Sequence, residues 1–527
     1  MSDATGAVGG LRAVLARRFA VDVRALAALR MALGGLLLVD LLARSRFLVL
    51  FYTDAGVLPR AALRATRPMV STLSVHALWG GATAQAALFL LAGVAALALA
   101  AGYHTRVAAV VSWLLLVSLQ ARNPVVVAGG DVLLRRTLFW GLFLPLGARW
   151  SLDAAAGRTG LRWWDAESGD DDTAASTSLA GSATAALLVQ PVLVYGTNAV
   201  LKFRGTAWPS GRAIRIAFGL DRYTLPTGEL LSETAGPALS VLGWVWLGLL
   251  VAAPLLVVLR GRARSTLAAG FAAGHLGMLA TMRLGLFPLV SAAALLPYVH
   301  SGIWDRLAAT RPVVWLEDRL GRRWTEPEED GTADRAGRPW SRPRRAVPVP
   351  VPVPASRRSV RRLSRAVVAV LLVGVLVWNA VALGYAPVDD ADAPWADVPR
   401  ADVPWDMFAP APPEGRVWVV APGRTVDGDR VDAYEGTRLS PHEDRWDRPS
   451  TAYESVRWRK YVVSLVWGEE PRLIRPFAAG LCARWSRTHA TELDNVTVYA
   501  VREPVRLDGL PGERERRRLV EHDCRTG

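Results

Sequence analysis

The hydrophobic positions of this chain gather into long, nearly unbroken stretches, the pattern of helices surrounded by lipid rather than of helices with one wet face. About 20 consecutive apolar residues cross the ~30 Å hydrocarbon core of a bilayer as a helix. Such stretches occupy residues 25–42, 82–102, 107–119, 132–145, 183–201, 237–259, 266–282, 284–300 and 366–385, which predicts nine spans. The third and fourth are short, and Arg135 and Arg136 enter near the start of the fourth, so a re-entrant pair or a half-buried hairpin is the alternative there. Past Tyr385 the pattern changes. Short alternating runs at 417–421, 461–466 and 496–501, separated by turn residues, read as β-strands. Asp427-Gly428 between strand-like flanks signals a hairpin turn. Asp429 and Asp432 beside it lack the spacing of an EF-hand loop and read as turn and surface residues. The expected fold is a polytopic α-helical membrane protein of about nine spans with a C-terminal β-rich extracytoplasmic domain. Its expected divisions are a helical membrane domain at 1–305, an Arg/Pro-rich cytoplasmic linker at 306–365, the last transmembrane helix at 366–385 and the β-rich domain at 386–527.

Composition agrees with this and removes one alternative. The 527 residues contain 62 basic and 47 acidic side chains, a net charge of +15, which in a soluble protein points to nucleic acid. A mean hydropathy of +0.22 with 51% hydrophobic residues excludes that partner in favour of a lipid bilayer. The charge is unevenly placed: residues after Tyr385 hold 21 basic and 25 acidic side chains, leaving 41 against 22, an excess of 19, on residues 1–385. Arg12, Arg17, Arg18 and Arg24, then Arg260, Arg262 and Arg264, then the 15 Arg against 8 acids of residues 301–365 fall on one side if nine spans are counted. The positive-inside rule makes that side cytoplasmic and places the tail outside. No A-x-A-like site follows the first span, so it reads as a retained helix of a multi-pass cell-membrane protein. Within the linker, the alternating Val-Pro run at 347–354 reads as a polyproline-II spacer, and the Arg cluster at 357–365 as a contact with anionic lipid. The only two cysteines, Cys482 and Cys524, both lie in the tail, where an oxidising compartment favours a disulfide; two buried free thiols are the alternative.

A P-loop, H-E-x-x-H, G-x-S-x-G and C-x-x-C are all absent, which removes the common phosphate, zinc, serine-nucleophile and dithiol chemistries, and no metal is predicted. Candidate chemistry then rests with polar residues in or beside the spans, where burial is costly and function over-represented. These are Arg30 and Asp40, Asp131 and Arg135, Asn198 and Lys202, and His275 and Arg283. Tyr195, Asn198 and Lys202 are spaced by three and four residues and share one helix face near a membrane boundary. A desolvated lysine can accept a proton where arginine cannot, and this chain retains only Lys202 and Lys460 among its 62 basic residues. A lysine at a span end also snorkels to the interface, and both readings stand. Arg30 and Asp40 are ten residues apart and must pair elsewhere, with Asp131, Arg135 or Arg283 as candidates. His275, deep in an apolar span, reads first as a hydrogen-bonded packing residue and second as a ligand.

Several passages together resemble one family. Val23-Arg-Ala-Leu-Ala-Ala-Leu-Arg30, Phe51-Tyr-Thr-Asp-Ala-Gly-Val-Leu-Pro59, residues 123–135, Leu201-Lys-Phe-Arg-Gly-Thr-Ala-Trp208 through Leu220-Asp-Arg-Tyr223, and the stretch from Gly285-Leu-Phe-Pro to Trp304-Asp305 resemble the HTTM (horizontally transferred transmembrane) domain. That domain is shared with the vitamin K-dependent gamma-carboxylases, and the resemblance covers roughly residues 23–305. In the tail, Pro404-Trp-Asp-Met-Phe-Ala-Pro410, Asp427-Gly428 and Arg457-Trp-Arg-Lys-Tyr461 are similar to the soluble portion of bacterial members. The resemblance implies that Lys202, within one residue, is the base that deprotonates a reduced quinone, vitamin K or menaquinol. Oxygen then converts the quinol to a strong base that removes the γ-proton of a glutamyl peptide, and the carbanion adds carbon dioxide. A dry pocket suits this chemistry. Tyr195, Asn198, Asp131, Arg135 and His275 are the candidate substrate-binding residues around Lys202. The carboxylases also use a histidine in the region matching residues 123–135, where this sequence has none and Asp131 or Asn123 would substitute. The rival expectation is a non-enzymatic membrane receptor, immunity or assembly factor that binds a partner through its tail.

Overall fold

The computed structural model describes residues 10, 13–158, 178–310, 363, 366–377, 407–413, 415–439, 455–468, 471–504 and 512–525. The polyproline run at 347–354, nearly all of the Arg cluster at 357–365 and the end of the ninth expected span lie outside them. The first helix is set by a side-chain cap: the Asp22 carboxylate accepts the Arg24 N–H at 2.8 Å, and α1 then runs unbroken over Val23–Ser45. Just before it, β1 (Val21–Asp22) pairs antiparallel with β2 (Ser178–Leu179). Short helices follow, among them α2 (Arg60–Thr66) and α3 (Pro68–Thr72), and then α4 (Ala82–Ala101), which stops at Gly102 in the left-handed region with φ +71°. Beyond it come α5 (Thr105–Arg122), α6 (Gly129–Gly141), α7 (Ser182–Phe203), α8 (Pro226–Thr234), α9 (Gly236–Ala252), α10 (Gly261–Thr281), α11 (Phe287–Ala294), α12 (Ser301–Ala308) and α13 (Ala366–Val377). Helices α1 and α4 pack closely because Gly34 presents no side chain; a Cβ there would lie 2.7 Å from Ala100.

Four of these helices, α1, α4, α5 and α7, are long and apolar enough to cross a membrane. The number rises to six if each of two bent pairs counts as one span: α8 with α9, bent by 109°, and α11 with its following turn and α12, bent by 101°. The other expected spans depart from straight apolar helices for local reasons. Residues 132–145 yield only the 13-residue α6. Pro254 interrupts the helix after α9, and Pro297 turns the chain after α11, because neither residue can donate to the preceding helical turn. Helix α10 has 21 residues, but its glycines, Arg264 and His275 dilute its apolar content.

Interhelical loops meet at two ends. At one, Arg18 Nη1 donates to the Val258 carbonyl at 2.7 Å, Arg264 Nη1 donates to the Arg18 carbonyl at 2.9 Å, Arg24 pairs with Asp305 at 2.7 Å, and the Trp150 and Trp304 rings lie 6.1 Å apart. Nearby, Asp153 accepts the Thr105 N–H and hydroxyl, each at 2.7 Å; burial raises its pKa, but these bonds dominate and hold the carboxylate below its ordinary value. The other end carries the C-terminal tail.

The tail is a six-stranded sheet with order β3-β7-β4-β5-β6 and β8 paired to β7. Its strands are β3 (Gly415–Val420), β4 (Pro422–Thr425), β5 (Arg430–Asp432), β6 (Thr437–Arg438), β7 (Leu493–Pro504) and β8 (Glu515–Asp523), all antiparallel to their neighbours. Asp427-Gly428 turns between β4 and β5, with Gly428 at φ +92°. Asp432 is not a surface residue: it is 5% exposed, and its carboxylate accepts the N–H groups of Tyr434 and Glu435. The run at 461–466 is not a strand either. It belongs to α14 (Val456–Trp467), capped by Ser455, whose hydroxyl accepts the Trp458 N–H at 3.0 Å, and ended by Gly468 at φ +73°. Trp458, Tyr461, Val462 and Leu465 repeat at three- and four-residue steps and are all buried, so a helical stripe overrode the β-branched composition. That stripe packs into one core with Phe51, Tyr52, Val57 and Val126 of the helical part as well as Val417 and Val496 of the sheet.

Helix α15 (Ile474–Thr488) lies on the sheet, and Cys482 within it is bonded to Cys524 just past β8, 42 residues later. Closing a loop of that length lowers the entropy of the unfolded chain by an amount worth about 4 kcal/mol at most. Cys482→Ser with Cys524→Ser is expected to lower the unfolding midpoint of the tail under non-reducing conditions and to abolish its dependence on added reductant, measured by denaturant titration of the full chain.

Candidate functional site

The expected site residues fall into three groups. The first is an ionic cluster at the junction of helices and tail. Asp40 and Arg44 are one turn apart on α1 and meet at 2.7 Å. Arg44 Nη2 reaches Asp131 on α6 at 2.8 Å, and Arg44 Nη1 donates to the Tyr52 hydroxyl at 2.7 Å. From the first turn of α14, Arg457 donates to Asp131 Oδ2 at 2.9 Å, to Asp131 Oδ1 at 3.1 Å and to Asp40. The Ala128 N–H adds a bond to Asp131 Oδ2 at 2.7 Å, so all four carboxylate oxygens are engaged and the four charges cancel. Burial alone would weaken the Arg457 charge, but Asp131 and Asp40 hold its pKa well above the ordinary value. Arg135, expected as a partner of the buried charges, donates instead to Gln120 Oε1 at 2.7 Å. Arg30 also departs from expectation: its guanidinium donates to the carbonyls of Leu99, Ala100 and Trp150, capping the C-terminal turn of α4.

The second group surrounds Lys202 in the last turn of α7. Lys202 is 2% exposed, and its Nζ donates to the Met407 carbonyl at 2.9 Å while lying 3.9 Å from the centre of the Trp208 ring. Trp208 Nε1 donates to the Phe408 carbonyl at 2.6 Å, so one short strap of the tail engages both residues. Gly205 permits that approach, since a Cβ there would lie 2.5 Å from the Pro410 carbonyl oxygen. Phe408 contacts the Tyr223 ring edge-on at 5.1 Å. The Arg459 guanidinium lies 4.2 Å from the Tyr223 ring centre and donates to the carbonyls of Arg222 and Arg283. Burial would raise the Tyr223 pKa, but Arg222, Arg459 and Lys460 outweigh it and lower the value.

The third group lies on the same face of α7. The Tyr195 hydroxyl and His275 Nε2 are 3.0 Å apart, Tyr195 stacks on Phe271 at 4.2 Å, and Trp246 and Phe287 present their edges to His275. His275 is therefore hydrogen-bonded through Nε2 and packed inside an aromatic cage. Asn198, half-buried, lies on the face between this cage and Lys202. The described bonds do not join Asp131 or Arg135 to Lys202. Sequence reasoning missed Arg44, Arg457, Trp208 and Arg459, although the four-residue step from Asp40 to Arg44 and the helical period through Arg457-Trp-Arg-Lys-Tyr461 were available as signals.

Among the described residues, no group of three His, Cys, Asp or Glu side chains is placed to hold a metal ion. A crevice with a volume of only about 10 Å³ lies between α1, α4 and α5, lined by Leu37, Leu41, Ala92, Ser112 and Leu116 with Asp40 at its polar edge. No protein-family model, curated protein or solved structure matches the chain.

Two outcomes follow from the buried charges. Arg457→Met leaves two carboxylates sharing Arg44 and is expected to cost about 3–5 kcal/mol, seen as release of the tail to limited proteolysis. Asp40→Asn combined with Arg457→Gln removes one charge of each sign and should recover part of that loss. His76, 1% exposed with Nδ1 2.7 Å from Ser118 Oγ, is pushed down to a pKa of about 4 by burial and by Arg44 and Arg122. Below pH 6.5, the ordinary value, only the unfolded chain gains this proton, so stability should fall as pH drops to about 4 and then level off. His76→Gln should flatten that part of a plot of Tm against pH.

Proposed function

We propose that the chain is a multi-pass membrane protein carrying out quinol-dependent carboxylation or oxidation chemistry at Lys202, as its resemblance to the vitamin K-dependent gamma-carboxylases implies. The observation that carries this reading is the burial of Lys202. Its Nζ turns inward to a carbonyl and an aromatic face, whereas a snorkelling lysine would extend to water. A reduced quinone would supply the reducing equivalents there. Lys202 Nζ, as the neutral amine, would take the hydroxyl proton, and the strap at 407–410 would exclude water from it.

The contacts at the two ends support eight traversals before residue 305, by α1, α4, α5, α6, α7, α9 with its continuation, α10, and α11 with its turn. The Arg24–Asp305 pair returns the chain to the end where it began, which supports an even number, and the nine-span reading takes the short apolar α13 as the ninth. The arginine excess supports a cytoplasmic N-terminus, and the bonded cysteines support an extracytoplasmic tail.

One observation favours a second reading, a non-enzymatic receptor, immunity or assembly factor. The residues that would replace the missing histidine are held in the scaffold: Asn123 Nδ2 donates to the Phe51 carbonyl at 3.0 Å, and Asp131 is saturated by Arg44 and Arg457. Purified protein supplied with reduced menaquinone or vitamin K, labelled bicarbonate and a glutamyl peptide separates the readings. Incorporation is expected in wild type and should fall about 10²–10⁴-fold in both Lys202→Ala and Lys202→Arg, since arginine keeps the charge and loses the base. Equal incorporation in all three removes Lys202 from the chemistry. A tightly held protein partner without quinone in the purified material favours the second reading.

A further inference from the structure

Residues 60–79, between α1 and α4, take no part in the three groups above. They contain Arg60, Arg64 and Arg67, and no Asp or Glu occurs anywhere from residue 55 to residue 130. Arg60 is neutralised by Asp54 at 2.8 Å, and Arg64 is exposed on α2. Side chains here are arranged in the reverse of a water-facing surface. Two polar residues turn inward: Ser74 Oγ donates to the Ser118 carbonyl at 2.7 Å, and the His76 N–H donates to Ser118 Oγ at 3.1 Å. Leu63 is buried, but four large apolar residues turn outward: Met69, Leu73, Leu78 and Trp79 are 70%, 69%, 59% and 53% exposed. Such a patch needs a partner. It leads within three residues into α4, whose outward side chains Leu90, Leu91, Val94 and Leu97 are 71%, 51%, 56% and 57% exposed, so the surface that covers α4 continues over it. From the tail, exposed Arg472 reaches over α2, its Nη1 3.3 Å from the Ala65 carbonyl, and places a second cation beside Arg64 at the polar edge.

We propose that residues 60–79 form a shelf lying in the membrane interface on the tail's side, with Met69, Leu73, Leu78 and Trp79 among acyl chains and Arg64 and Arg472 binding the phosphate of anionic phospholipid. The composition matches an in-plane anchor: apolar and aromatic on one side, arginine on the other, and no acid to repel the headgroups. Helices too short to span are then needed for what they do in the plane. Arg472 ties the tail to the same headgroup layer, so anionic lipid holds tail and shelf together.

The proposal rests on the membrane reading above, and the test separates the two. Because both native cysteines are bonded, single cysteines introduced as Leu73→Cys, Leu78→Cys, Leu90→Cys on α4 and Arg438→Cys in the tail can each carry a fluorophore in the full chain. The protein is reconstituted in bilayers of phosphatidylcholine with phosphatidylglycerol. Labels at 73 and 78 are expected to be quenched by doxyl-bearing lipid, as at 90, and shielded from aqueous iodide. If 90 is quenched by lipid while 73 and 78 respond to iodide like 438, or are shielded from both quenchers, the shelf is overturned and the membrane reading stands. If 90 also responds to iodide, the membrane reading fails with it. Native mass spectrometry tests the headgroup: Arg64→Gln and Arg472→Gln should each lower the preference for phosphatidylglycerol over phosphatidylcholine about fivefold. An unchanged preference in both variants overturns the arginine role.

Discussion

The junction between helices and tail depends on a buried exchange of charge. Asp40 and Asp131 belong to the helical part, Arg44 can satisfy only some of their oxygens, and Arg457 arrives from the tail to satisfy the rest. Taking two carboxylates and two guanidinium groups out of water is costly, and such a cluster does little for net stability beside an apolar one of equal volume. Its consequence is specificity. A displacement of α14 by one turn would bury unpaired charge on both sides, so the helix has one register against the membrane part. Around the cluster, the stacked rings of Tyr434, Trp458 and Tyr461 supply apolar area without that geometric demand.

Once α14 is fixed, its neighbouring residues organise the second centre. Arg459 sits two residues beyond Arg457 and reaches the Arg222 and Arg283 carbonyls from there, where it stacks on Tyr223. Tyr223 in turn meets Phe408, and the backbone carbonyls of Met407 and Phe408 engage Lys202 and Trp208. The chain from the ionic cluster to the lysine is therefore a series of direct contacts. Dislodging the tail would uncover Lys202 as well as breaking the cluster, and the burial that distinguishes this lysine is a property of the docked state.

How much of this was legible in the amino-acid order differs by element. The long helices α1, α4, α5 and α7 could be read because lipid imposes a long apolar run, a signal that needs no knowledge of neighbours. The hairpin at Asp427-Gly428 could be read because a left-handed turn restricts residue choice locally. The run at 461–466 was misread because Val462, Val463 and Val466 favour strand by composition. The helix is specified by Ser455, Gly468 and the four-residue repeat of buried rings, which extend beyond that window. Buried partners were less legible still. Arg30 was expected to seek a carboxylate and instead caps α4, because the terminal carbonyls of a helix are an equally good acceptor set and only packing decides which is nearer.

Local composition by itself determined that the chain holds membrane-length helices, that its basic excess belongs to residues 1–385, and that Lys202 shares a helix face with Tyr195 and Asn198, since each follows from hydropathy, charge or helical period. The tertiary structure alone decided that Tyr195 pairs with His275 rather than with Lys202, that Asp131 serves the tail rather than the lysine, and that the tail covers Lys202. The physical reason is distance along the chain. The deciding contacts join residues 80, 326 and 205 positions apart, and partner choice at such separations is made by which side chains the packed helices bring within hydrogen-bond reach.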